Sequence, residues 1–65
     1  MLGNPKFDYG DKVKFEIDGK TKVGTIEIID AYGTFFYKED VSYDIMVEEE
    51  NTFYKHIAEK FVEKA

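Results

Sequence analysis

Apolar and polar residues alternate strictly through Asp11-Lys12-Val13-Lys14-Phe15-Glu16-Ile17, so Val13, Phe15 and Ile17 share one side and Lys12, Lys14 and Glu16 the other. A period of two over that length predicts a strand with one wet face. Asp18-Gly19 follows at once, and Asp-Gly between alternating runs is the strongest short-range hairpin signal. The returning run, Thr21 to Asp30, is rich in β-branched residues, but its apolar phase slips: Val23 is odd-numbered, whereas Ile26 and Ile28 are even-numbered. One extra residue at Gly24-Thr25 restores the facing, so a β-bulge is expected there.

Further along, Ala31-Tyr32-Gly33-Thr34 reads as a turn, Phe35-Phe36-Tyr37 as the start of a third strand and Lys38-Glu39-Asp40 as a polar loop. Ser42 to Glu48 alternates again, with Tyr43, Ile45 and Val47 on one face, and Glu48-Glu49-Glu50-Asn51 closes it as a charged turn. Thr52-Phe53-Tyr54 gives a short strand. In the tail, Ile57 and Phe61 lie four apart, as do Ala58 and Val62, a spacing that admits one or two helical turns. The alternative is a 3-10 turn at His56-Ile57-Ala58-Glu59 leading into a last strand, Lys60-Phe61-Val62-Glu63. The second is preferred, because a small barrel needs a closing strand over its edge.

Five or six short strands with turn signals about every 8–12 residues predict an all-β fold. At 65 residues the expected form is a small SH3-like barrel of five to six short strands, with a short helical or 3-10 turn near residues 56–59. The polar stretch at 38–41 is too short for the middle helix of an OB barrel. Residues 1–65 make a single domain, of which 1–8 read as a loosely ordered N-terminal segment.

Composition sharpens this picture in two ways. A domain of this size buries only about 60% of the surface its unfolded chain exposes, so the core is small. With no cysteine to cross-link it, packing must hold the fold, and 17% aromatic content supplies the apolar area. Absence of cysteine also fits a reducing compartment. Met1 to Lys6 lacks the apolar stretch of a signal peptide, and no apolar run approaches the roughly 20 residues that span a bilayer. The default location is cytoplasmic, with no membrane partner.

Net charge is −5, carried as +1 over residues 1–26 and −6 over residues 27–65, and all nine basic residues are lysine. Arginine is the side chain that phosphate and base recognition draws on most, so its absence, with the acidic balance, disfavours nucleic acid as a partner.

The stretch Tyr9-Gly10-Asp11-Lys12-Val13, with Lys22-Val23-Gly24-Thr25-Ile26, resembles the opening of many SH3-like barrels, including the KOW type. Ser42-Tyr43-Asp44-Ile45 and Tyr54-Lys55-His56-Ile57-Ala58-Glu59 are similar to a pattern in small uncharacterised proteins of Gram-positive bacteria and their phages and mobile elements. Together these segments span most of residues 9–63. The resemblance implies a fold and a genetic setting and carries over no functional residue. KOW motifs proper are basic and contact RNA or its protein partners, from which this acidic, arginine-free chain departs.

Candidate chemistry is sparse. Gly19-Lys20-Thr21 mimics the end of a P-loop, but the earlier glycine is replaced by Lys14 and a strand follows instead of a helix. His56 is the only imidazole and Ser42 the only serine, with no elbow or glycine-rich oxyanion turn near it. The plain expectation is that His56 caps or hydrogen-bonds the turn into the last strand. Glu48-Glu49-Glu50 lacks the spacing of a calcium loop, and Asp40 with Asp44 lacks a pocket to perturb it. No catalytic, metal or cofactor site is expected, and the chain reads as non-enzymatic.

The aromatic residues carry the functional expectation. Phe15, Tyr43 and Phe53 fall on inward faces and read as core. Phe35, Phe36 and Tyr37 are consecutive, so a strand cannot turn all three inward. Together with Tyr32 and Tyr54 they form the candidate protein-binding set, the alternative being that they fold over the barrel's open ends and shield its core. A protein or peptide is the expected partner, favoured to be basic by the acidic residues at 39–40 and 48–50. Two other readings stand beside it: a homo-oligomeric structural accessory protein, and an acidic inhibitor that imitates nucleic acid. Direct nucleic-acid binding through Lys12, Lys14, Lys20 and Lys22 is the weakest.

Overall fold

The computed structural model describes residues 5–31 and 41–65, so the expected turn at Tyr32 to Thr34, the expected strand at 35–37 and Asp40 lie outside it. The elements are β1 (Lys12–Ile17), β2 (Lys20–Asp30), β3 (Ser42–Val47), a 3-10 turn (Glu48–Glu50), β4 (Thr52–Ala58), a second 3-10 turn (Glu59–Phe61) and β5 (Val62–Lys64). The five strands among the described residues are antiparallel in one sheet of order β4-β3-β2-β1-β5. β5 returns to pair with β1 after the second 3-10 turn, an arrangement consistent with a small β-barrel-like fold.

The sheet folds over on itself. In a flat sheet β1 and β4 would lie about 14 Å apart, three strand spacings. Instead the Phe15 ring on β1 meets the Tyr54 ring on β4 edge-on, with centroids 5.4 Å apart. Inside the fold lie Val13, Phe15, Ile26, Val41, Tyr43, Ile45, Val47 and Val62, with Phe7, Ile17, Ile29 and Ile57 packed partly buried against them. The alternation read in β1 and β3 therefore places the expected residues inward.

Asp18 and Gly19 connect β1 to β2 with φ of 51° and 75°, the positive pair a type I′ turn requires. Gly24 plays a different part from the one expected. It pairs in regular register with Val13, and the register shift falls later, between Ile26 and Ile28. A Cβ on Gly24 would come within 2.5 Å of the Met46 carbonyl oxygen and 2.6 Å of Ile45 Cγ2. Glycine stands there so that β3 can cross close, and the extra residue of the bulge is Glu27. Hence Val23 faces solvent, and after the bulge Ile28 is exposed while Ile29 turns inward.

Two further expectations are corrected. Phe53 pairs with Met46 and Tyr54 with Ile45, so it is Tyr54 that shares the inward face and Phe53 that sits half-buried on the other. The last 3-10 turn occurs, displaced to Glu59–Phe61 because β4 runs on to Ala58, and the closing strand is Val62–Lys64. His56 thus lies within β4 and not at the turn. It adopts φ 61° at a second register shift, and its N–H donates to Asp44 Oδ1 at 3.0 Å. A bulge on an edge strand discourages pairing with another chain. No helix among the described residues is long and apolar enough to cross a membrane.

Candidate functional site

The segment before β1 builds one of the concave surfaces among the described residues. Asp11 N–H donates to the Asp8 carbonyl at 3.1 Å, closing a four-residue turn whose second residue is Tyr9 and third Gly10. The Asp11 carboxylate accepts the Asp8 N–H at 2.9 Å, and the Asp8 carboxylate accepts the Tyr9 N–H at 2.7 Å. Gly10 N–H then donates to the Ile26 carbonyl, and Ile26 N–H to the Asp11 carbonyl, at 2.8 and 3.0 Å. Tyr9, the second residue of this turn, stands 62% exposed.

Between this turn and the end of β2 lies a groove of about 500 Å³. Phe7, Ile29, Ala31 and Pro5 give it apolar surface, and Tyr9 stands along it. Asp8 and Asp11 set two carboxylates on it against the single ammonium of Lys6. Each carboxylate offers about four lone-pair sites and the turn occupies only one or two, so both retain capacity to accept from a ligand. What the groove offers is an aromatic face, apolar walls and acceptors for a cation.

A second cluster joins three residues near the tip of the first hairpin. Glu50 accepts from Lys22 on one carboxylate oxygen and from the Tyr54 hydroxyl, at 2.6 Å, on the other. Lys22 first, and Tyr54 second, hold the Glu50 carboxyl below its usual range. The same hydrogen bonds push Lys22 and Tyr54 up. With its ring on Phe15 and its hydroxyl engaged, Tyr54 is part of the barrel wall with one face open. Tyr32, Phe35, Phe36 and Tyr37, the rest of the expected contact set, lie outside the described residues.

Exposed aromatic area also occurs where it was not expected. Phe61, read as part of the closing strand, is 51% exposed in the 3-10 turn, with the Lys60 ammonium 5.4 Å from its ring centroid. Its neighbours Lys14, Glu16, Thr21 and Glu63 line a smaller recess of about 220 Å³. The signal for Tyr9 was present in the sequence, since Gly10-Asp11 after it marks a turn. For Phe61 there was none, because its facing depends on where β4 stops.

The remaining candidates are dispersed. Ser42 is fully buried between Asp30 and Ala58, and its hydroxyl makes no hydrogen bond among the described residues. His56 and Ser42 sit on different strands, and no three His, Asp or Glu side chains among the described residues converge as metal ligands. On the hairpin, Lys12 lies 3.7 Å from Glu48, Lys14 lies 3.8 Å from Glu63, and Lys22 pairs with Glu50. Three of the four lysines of this hairpin thus stand beside a carboxylate. No protein-family model, curated protein or solved structure matches the chain.

Proposed function

We propose that this protein is a non-enzymatic interaction module that takes an extended, basic and partly apolar peptide segment in the groove between the Asp8–Asp11 turn and the end of β2. The observation that carries this reading is the exposed Tyr9 ring beside apolar walls and two carboxylates. An aromatic face and carboxylates together suit a lysine or arginine side chain, through cation–π attraction and charge-assisted hydrogen bonds. Phe7, Ile29 and Ala31 suit an aliphatic neighbour. The net charge of −5 favours encounter with such a segment over an acidic one.

The test is fluorescence anisotropy with synthetic peptides that alternate Lys or Arg with Leu or Pro, against matched peptides carrying Glu instead. The basic set should bind, more weakly as salt rises. Tyr9→Ala should weaken binding about tenfold while leaving the melting temperature unchanged, as for a contact residue whose side chain is not in the core. Equal binding of the acidic set, or a Tyr9→Ala protein that binds as the parent does, would remove this reading.

A further inference from the structure

One wall of the groove is the segment Pro5 to Asp8, and a side chain from the far end of the sequence joins Tyr43 in fastening that segment to the barrel. Glu59, the first residue of the second 3-10 turn, directs its carboxylate back towards the N-terminal segment. The same oxygen, Oε2, accepts the Lys6 N–H at 3.0 Å and the Tyr43 hydroxyl. The Tyr43 hydroxyl oxygen in turn faces the Phe7 N–H at 3.4 Å, and the two rings meet edge-on with centroids 5.8 Å apart. Glu59 is itself anchored, since its own N–H donates to the Val41 carbonyl at 2.8 Å. Tyr43 is a fully buried member of the core, so the linkage runs from core to carboxylate to N-terminal segment.

Among the described residues, the hydrogen bonds that tie Lys6 and Phe7 to the barrel all end on Glu59 or Tyr43. The turn that follows is held separately, by Gly10 and Asp11 on Ile26. We propose that Glu59 is a positioning residue: its carboxylate clasps Lys6 and Phe7 onto Tyr43 and so holds the groove's N-terminal wall in place. The consequence for binding rests on the groove reading above. The clasp itself is a property of the free protein. A carboxylate suits this task because a charged acceptor strengthens each bond, and one oxygen has lone pairs for both donors.

Amide hydrogen exchange on the unliganded protein, read by NMR, tests the clasp directly. Glu59→Ala should speed exchange at Lys6 and Phe7 at least about tenfold, the loss expected for a bond to a charged group, while amides of Val13 and Ile45 in the core keep their protection. Glu59→Gln keeps a carbonyl acceptor at the same reach and should restore most of the protection. Tyr43→Phe removes only the hydroxyl and should loosen Phe7 and Lys6 with the core still folded. Unchanged exchange at Lys6 and Phe7 in Glu59→Ala would overturn the proposal, as would a rise shared equally by the core amides.

Peptide titration of the same variants separates the two readings. If the parent binds basic peptides, Glu59→Ala should weaken them and Glu59→Gln should recover most of the loss. Undiminished binding by Glu59→Ala would deny the clasp its role in the groove. If the parent binds none, the groove reading falls, and the exchange result still decides the clasp.

Discussion

Gly24 and Ser42 show how far a single position depends on what crosses it. At Gly24 the obstacle to any side chain is mostly the backbone of β3, which cannot swing aside as a flexible side chain would. Gly24→Ala should therefore cost about 3 kcal/mol or more, at the upper end of overpacking effects, seen as a lower urea midpoint. Ser42 presents the opposite case. A buried hydroxyl with no partner among the described residues carries its desolvation cost uncompensated, so Ser42→Ala should be neutral or stabilise by about 1 kcal/mol in the same titration. Neither result follows from residue type alone. Gly24 reads in the sequence as a bulge, and Ser42 as an ordinary strand residue.

Among the elements, the first hairpin is the one whose local chemistry and tertiary role agree throughout. Alternation sets its faces, and Asp18-Gly19 supplies the positive φ values of its turn. Gly19→Ala should cost about 1 kcal/mol through left-handed backbone strain alone, since nothing lies within 4 Å of the added Cβ. In a domain this small that lowers the melting temperature by roughly 4–8 °C. The stretch from β4 to β5 behaves differently. Its residues suit several endings, and the choice is made by pairing with β3, which carries β4 to Ala58 and swings Phe61 into solvent.

For the whole molecule, the tyrosines set an alkaline limit. Burial, then the Glu59 hydrogen bond, push the Tyr43 phenol far above its ordinary value of about 10. Between about pH 9 and about pH 11 the unfolded chain releases this proton while the folded chain keeps it. The unfolded state then binds fewer protons, and stability falls as pH rises. Tyr54 and Lys22, both raised chiefly by Glu50, add to the same trend. Urea midpoints taken across that range should decline steadily, and Tyr43→Phe should flatten most of the decline. Glu50 acts at the other limit. Its lowered carboxyl contributes stability above the ordinary carboxylate range and loses it as pH falls through the lowered value, an exposed contribution that salt should weaken.

The sequence by itself determined the strands and their faces in β1 and β3, the hairpin turn and the all-β class, because alternation and turn chemistry are local: they depend on a residue's immediate neighbours. Tertiary structure decided the register. It moved the bulge from Gly24 to Glu27, turned Tyr54 inward in place of Phe53, and left Tyr9 and Phe61 in solvent. It also made the groove, since Phe7 and Ile29 come from separate parts of the chain and are brought together only when the Asp8–Asp11 turn docks on β2. Spacing along the chain carries no record of such approaches, because they depend on how closely one backbone passes another.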